Sequence, residues 1–323
     1  MSQNLDCKRE LGQFMTKPSE NIFELGIFRE WMNMVPRGKI MEPFAGGKDI
    51  PKLVSDAGFH REWEFYDIDP QDPDTIQRDM IFDFPTDFES VAFITNNPWL
   101  AKNSATRRGV KFPETEYDDL YKASLDVLLQ NFDYGACIVP ESFITQNIFH
   151  YRIYAIISLT TEMFNDTECP SCLVLFMPNH HSSFGVFRMD KFIGKFSDLQ
   201  KCIMTPEKNV EMTFNDPNGE IGLIGIDDTT GPTIRFVRGS EIEPSSIKNT
   251  SRSITRISVD LGAISSEDVI DLCNVILQKE RTDTEDVFYT AFKGMRTDRK
   301  FRRRLDFKNV KRIISYAVEI LNE

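Results

Sequence analysis

The chain lacks any apolar run long enough to cross a bilayer: stretches such as Leu173-Val174-Leu175-Phe176-Met177 fall far short of the roughly 20 residues that a membrane helix needs. The first ten residues, Met1 to Glu10, carry no apolar segment behind their charges, so neither a secretory signal nor a membrane contact is expected. Cysteine is sparse. Six thiols, Cys7, Cys137, Cys169, Cys172, Cys202 and Cys273, scattered over 323 residues imply no disulfide framework and read as the reduced thiols of a cytoplasmic protein. Cys169-Pro170-Ser171-Cys172 has metal-type spacing with His180-His181 close behind, but no second such pair exists and Cys172 opens an apolar strand, so no metal is expected. His60 and His150 have no partner motif and read as packing or surface residues. Internal repeats and low-complexity tracts are absent, and 17 Gly with 16 Pro exclude collagenous and disordered classes. Positive charge is also short, with 38 Lys and Arg against 50 Asp and Glu for a net charge of −12, a balance that ordinarily argues against a polyanionic partner.

The distribution of that charge matters more than its sum. Between Lys293 and Arg312 stand ten basic residues against only Asp298 and Asp306. Ten cations in so short a run repel one another unless something neutralises them. With Phe292, Phe301, Leu305 and Phe307 around it, the run is expected to be anchored to a folded domain.

Up to about residue 195 apolar runs alternate with amphipathic stretches, the pattern of a parallel sheet covered by helices, and this part is expected to be α/β. Strands are predicted at Lys39–Met41, Glu64–Tyr66, Val91–Thr95, Ala136–Val139 and Cys172–Met177, and helices at Ile50–Ala57 and Tyr117–Gln130. Beyond that point short alternating strands take over, at Val210–Phe214, Thr233–Arg238 and Ser253–Val259, with helices opening after Ser265 and over Phe307–Leu321. Two domains follow, 1–195 and a smaller, β-rich α+β domain at 196–323.

Three segments of the first domain carry chemistry. Ile40-Met41-Glu42-Pro43-Phe44-Ala45-Gly46-Gly47 is an apolar strand ending in an acid, then a small-residue turn into a helix, which lets a ligand approach the backbone closely. Phe65-Tyr66-Asp67-Ile68-Asp69-Pro70 ends the next strand with a carboxylate that can accept from both hydroxyls of a ribose. Phe93-Ile94-Thr95-Asn96-Asn97-Pro98-Trp99 brings an amide oxygen, a stiffened turn and a large ring to the carboxyl edge of the sheet, a combination suited to the exocyclic amino group of a base.

With that third segment the chain resembles the S-adenosylmethionine-dependent amino-methyltransferases of DNA, whose catalytic motif is Asn-Pro-Pro followed by Tyr, Phe or Trp. The resemblance runs in family order over roughly residues 11–178. Leu11 to Pro18 resembles the N-terminal Gly-x-x-x-Thr-Pro segment, which makes Thr16 a contact of the cofactor's methionine end. Glu42, Pro43, Ala45 and Gly46 match the glycine-rich motif, Asp67 with Ile68 the ribose acid, and Asp79-Met80 the Asp-Phe pair that holds the cofactor's adenine, with Asp83-Phe84 a second candidate. Asp119-Leu120-Tyr121 and Val139-Pro140-Glu141-Ser142-Phe143 match the family's later segments. Two positions depart: Lys48 stands where a second glycine is usual, and Asn97 where the first proline is usual.

The resemblance implies a Rossmann-like methyltransferase domain with a second, target-recognition domain, S-adenosylmethionine as cofactor and double-stranded DNA as partner. It implies transfer of a methyl group to N6 of a flipped adenine by Asn96, Asn97, Pro98 and Trp99, in a restriction-modification setting that would include a cognate endonuclease. Phe164 matches a second aromatic facing the flipped base, with the protein core as its other reading. Lys102 to Gly109 reads as a polar loop over the site whose Arg107 and Arg108 hold phosphates, with a solvated surface loop as the other reading, and Arg302, Arg303 and Arg304 of the basic run read as further DNA contacts, with a solvated face, and DNA held instead around Arg235, Arg238 and Arg256, as the alternative. Methylation of RNA or of a protein glutamine, and a DNA-binding relative that has lost activity, stand as alternatives.

Overall fold

The computed structural model describes residues 16, 19–164, 168–178, 183–247 and 253–323. The expected N-terminal motif, apart from Thr16, and His180-His181 lie outside the described residues. The chain divides into two compact units, 1–192 and 193–323.

The first unit is built on one sheet. The strands are β1 (Lys39–Glu42), β2 (Trp63–Asp67), β3 (Ile76–Gln77), β4 (Ser90–Asn96), β5 (Tyr134–Pro140), β6 (Ile153–Leu159), β7 (Ser171–Phe176), β8 (Gly185–Arg188) and β9 (Lys191–Lys195), the last of which runs past residue 192, in the order β3-β2-β1-β4-β5-β7-β6-β8-β9. Pairing is parallel from β3 through β5, and β7 then runs antiparallel between β5 and β6. The runs that form β4, β5 and β7 are nearly unbroken apolar sequence because both faces of these central strands are buried. Helices α1 (Gly26–Met34), α2 (Asp49–Asp56), α3 (Lys102–Arg108) and α4 (Leu120–Asn131) belong to this unit. Strand order reverses between β1 and β4, which opens a crevice beyond their carboxyl ends, where doubly wound sheets bind ligands. The Rossmann-like α/β class expected from the sequence is the class observed.

One expected loop is a helix. Lys102 to Arg108 forms α3, which ends at Gly109 in a left-handed conformation (φ 68°). Only Ala105 of this helix is buried, so no apolar stripe announced it.

The second unit holds a four-stranded antiparallel sheet ordered β10 (Met212–Phe214), β13 (Ile254–Val259), β11 (Ile221–Ile224) and β12 (Arg235–Arg238). After α5 (Phe196–Lys201), its long helices are α6 (Ser266–Asp283), capped by Ser265 accepting from Glu267 N, and α7 (Phe307–Asn322), capped by Asp306 accepting from Asn309 N. They share one apolar core with the sheet through Leu223, Phe236, Ile257, Cys273, Ile313 and Ile314. The basic run forms a hairpin, β14 (Thr290–Met295) with β15 (Phe301–Arg304), and continues into α7. This is the smaller, β-rich α+β domain of the sequence reading.

Candidate functional site

The carboxyl ends of β1, β2 and β4 surround a cavity of about 650 Å³, within the usual range for small-molecule sites. Its walls include Thr16, Glu42, Ala45, Gly46, Asp67, Ile68, Asp79, Met80, Asn96, Asn97 and Pro98. Apart from Thr16, these residues, widely separated in the sequence, are brought together there because each ends a parallel strand or stands in the segment that follows one.

Glu42 ends β1 and is 2% exposed; its Oε2 has no hydrogen-bond partner among the described residues. Burial, with Asp49 and Asp67 nearby, pushes its carboxyl well above the usual carboxylate range. The turn after it is held by the neighbouring strand: Ala45 N donates to Tyr66 O at 2.9 Å, and Gly46 N donates to Asp67 Oδ2 at 2.8 Å. Gly46 adopts φ 48°, and a Cβ built there would meet nothing within 4 Å, so its missing side chain leaves open space beside the turn. Lys48 also sits in the left-handed region, at φ 57°, a conformation that favours glycine. Its side chain is held by Asp72 at 2.7 Å and lies 4.3 Å above the Phe65 ring. The departure from the glycine pattern therefore adds no side chain to the cavity wall.

Asp67 is buried, which raises its carboxyl from the usual value, while backbone N–H groups of Asp69 and Gly46 pull the other way. Asp79 accepts from Ile81 N at 3.0 Å and Phe82 N at 3.2 Å, which shapes the loop that carries Met80 into the wall. Of the two candidate pairs it is Asp79-Met80 that lines the cavity; the carboxylate of Asp83 is taken by Arg78, with Nε–Oδ2 at 3.0 Å. Pro43, in the turn directly after β1, is buried and does not line the cavity.

Asn96 is the last residue of β4, and Asn97 is 1% exposed behind it. Trp99 is 9% exposed, donates from Nε1 to Ile138 O at 3.4 Å, and meets Phe164 edge to face at 5.0 Å between centroids. The structure thus joins the two aromatic residues and leaves the Trp99 ring little open surface.

The segment Lys111 to Glu114 was not singled out by sequence, yet Lys111, Pro113 and Glu114 line the cavity. The alternate residues Val110 and Phe112 pack with Leu100, Ala105 and Leu120. This period-two alternation was the available signal.

The basic run corrects one expectation. Arg303 is 2% exposed and donates from Nη1 to Tyr289 O at 3.3 Å, so it is an interior residue rather than a phosphate contact. Arg296 pairs with Asp227, Asp286 and Asp298, Lys300 with Glu285, and Arg312 with Glu280. The neutralising charge expected from a polyanion comes in large part from the protein itself. Arg302 is half-buried, donating to Asp227 O at 2.5 Å and lying 5.3 Å from the Phe292 ring; Arg304 is half-buried as well. Lys293, Arg299 and Lys308 of this run, and Arg107 and Arg108 on α3, are exposed.

Among the described residues no cluster of His, Cys, Asp and Glu is arranged to hold a metal ion, and no helix is long and apolar enough to cross a membrane. Cys169 and Cys172 are free thiols that burial raises, the former to about 11.

No family model and no curated protein matches the chain. Several solved structures are similar at low identity. One is a class I S-adenosylmethionine-dependent methyltransferase of Listeria monocytogenes, described as putative: 12% identical, TM-score 0.39, covering 53% of this chain and 65% of that one. Another is the methyltransferase subunit of a type I restriction-modification system from Streptococcus thermophilus: 13% identical, TM-score 0.39, covering 54% of this chain and 47% of that one. A third is the M protein of the type I restriction enzyme EcoKI: 12% identical, TM-score 0.37, covering 93% of this chain and 68% of that one.

Proposed function

We propose that the protein is a DNA methyltransferase that moves a methyl group from S-adenosylmethionine to the N6 amino group of an adenine flipped out of duplex DNA. The observation that carries this reading is one cavity lined by Thr16, Glu42, Ala45, Gly46, Asp67, Asp79-Met80 and the Asn96-Asn97-Pro98 edge, most of the motif positions of the resembling family in a single wall. The residues fit the cofactor. Glu42 offers a buried acceptor atom without a partner, Gly46 leaves room for close backbone approach, and Asp67 stands at the end of β2 where a ribose is held. When bound, S-adenosylmethionine supplies an electrophilic methyl group on sulfur.

The chain's own part is positioning. A duplex hides the adenine amino group, so the nucleotide must leave the stack, at a cost of a few kcal/mol, and reach an aromatic surface; Trp99 and Phe164 are the rings assigned to it. The Asn96 side-chain oxygen and the Asn97 main-chain oxygen accept the two amino hydrogens. This makes the nitrogen more tetrahedral and concentrates its lone pair for direct attack, with the spare proton released to water. Asn at the first motif position favours adenine over cytosine as the target. The second unit is assigned to reading DNA, with exposed cations of the basic run and of α3 at phosphates, and a cognate endonuclease is the protein partner such a role implies.

The test is incubation of the chain with methyl-labelled S-adenosylmethionine and duplex DNA, single-stranded DNA, RNA or protein, followed by digestion and identification of the labelled product. N6-methyladenine in duplex DNA is the expected result. Label only in RNA or in glutamine, or cofactor binding with no transfer, would overturn it.

A further inference from the structure

The turn after β4 departs from the resembling family at Asn97, where a proline ring would lock φ near −65° and hold the peptide that carries the catalytic carbonyl. Asparagine gives the backbone no such lock. The side chain supplies another constraint. Asn97 Nδ2 donates to Ser124 Oγ at 2.6 Å, and Ser124 Oγ donates in turn to Tyr121 O at 2.9 Å. Asn97 is 1% exposed and Ser124 is 0% exposed, so water does not compete for either bond.

The direction of this chain is fixed by proton inventory. A hydroxyl has a single proton, and that of Ser124 goes to the Tyr121 carbonyl, so toward Asn97 it can only accept. In this arrangement the amide nitrogen of Asn97 faces Ser124, and Asn97 Oδ1 has no hydrogen-bond partner among the described residues. The anchor is firm at its far end as well: Leu120 N donates to Leu100 O at 3.1 Å, which ties the first turn of α4 to the chain just beyond the motif, and Tyr121 Oη reaches Gln146 at 3.1 Å. Asn97 is therefore fastened through a buried serine to a helix that is itself fastened to the same loop.

We propose that Ser124 is a positioning residue for methyl transfer: through the Asn97 side chain it holds the Asn97 main-chain carbonyl in the place that a proline ring would otherwise fix. This rests on the methyltransferase reading above and adds to it a residue outside the catalytic motif. Buried hydrogen-bonded groups of this kind are expensive to leave unmade, so breaking the link should loosen the turn.

Ser124→Ala should slow single-turnover transfer from methyl-labelled S-adenosylmethionine to unmethylated duplex DNA by roughly 10- to 100-fold, the scale set by small misplacements of reacting groups. Affinity for S-adenosylhomocysteine should stay unchanged. The decisive arm is rescue. Adding Asn97→Pro to Ser124→Ala replaces the tether by a ring and should return the rate toward that of the unaltered chain, an outcome that a space-filling role for Ser124 does not produce. If Ser124→Ala does not fold, Asn97→Ala breaks the same link from the other end, and Asn97→Pro is its comparison. A folded Ser124→Ala with an unaltered rate, or a folded double variant that stays slow, overturns the proposal. Crystal structures of the variants give a readout independent of turnover. If the unaltered chain methylates nothing, the methyltransferase reading falls. The tether is then decided by whether the residue 97 carbonyl shifts in Ser124→Ala and returns in the double variant; an unmoved carbonyl overturns it.

Discussion

The two units treat buried acids in opposite ways. In the first, Glu42, Asp67 and Asp119 are raised by burial, Asp119 to about 6, with the charge of Lys48 at Glu42 and of Lys122 at Asp119 offsetting that burial in part. In the second, burial alone would raise Asp227, but hydrogen bonds and charge from Arg281, with help from Arg296, hold it below its usual value. Arg281 donates to Asp227 Oδ2 at 2.7 Å and to Asp286 Oδ1 at 2.6 Å, and Arg312 to Glu280 at 2.6 Å. Carboxylates closed by arginines hold a structure together, whereas acids whose burial outweighs the charges near them, as for Glu42 and Asp67 in the cavity wall, mark a candidate functional site.

The contrast is broken most severely at Asp227. It is wholly buried and accepts from Arg281, Arg296 and the backbone of Thr233, Ile234 and Arg303. Asp227→Ala leaves two guanidinium groups sharing Asp286 as their remaining buried carboxylate, and three backbone N–H groups without their acceptor, and should destabilise the second unit by about 3–5 kcal/mol in urea unfolding while cofactor affinity stays unaltered. Next in size is Asn96→Ala, expected to reduce transfer by roughly 100- to 1,000-fold with melting and cofactor binding intact. Retention of most of the single-turnover rate would exclude this amide from the chemistry. Asp67→Ala should weaken S-adenosylmethionine binding by about 1.5–3 kcal/mol, measured calorimetrically on a folded variant; equal affinity rejects the ribose assignment. The smallest effect is at the basic run, where Arg302→Ala with Arg304→Ala should flatten the salt dependence of DNA affinity by roughly 0.9 logarithmic units per lost contact. An unchanged slope and affinity would mean that these two arginines belong to the interior scheme of Asp227 rather than to DNA.

How far the sequence could be read depended on whether a signal was local. The strands β1, β2, β4, β5 and β7 are apolar runs of the right length, and the acids and amides that end β1, β2 and β4 could be picked out because they interrupt such runs. The α3 helix was misread since its polar sequence buries one alanine. Ion pairing was illegible for a different reason. Arg281 and Asp227 lie 54 positions apart and Arg296 and Asp227 lie 69 apart, so a count of charges along the chain made Lys293 to Arg312 look unneutralised when the folded unit had already supplied its partners. Similarly, Asn97 read only as a departure from the proline pattern until Ser124, 27 positions away, met its amide.

The buried carboxyl of Glu42 gives the proposed reaction a proton account. Because its affinity for a proton is raised in the folded chain, Glu42 favours the fold at low pH, and that contribution is lost as pH climbs through the raised value. A sulfonium cation entering the same cavity opposes this, favouring the carboxylate and expelling the proton. Loading should therefore be tied to proton release and tighten as pH rises, until the empty cavity has already lost that proton. The demethylated product is neutral at sulfur and would lack this charge, so on the proposed reading its affinity should depend less on pH than that of the donor. Calorimetric heats of S-adenosylmethionine binding should differ between two buffers of unlike ionisation enthalpy, and those of S-adenosylhomocysteine should differ less. Identical heats in both buffers for both ligands would uncouple Glu42 from the cycle.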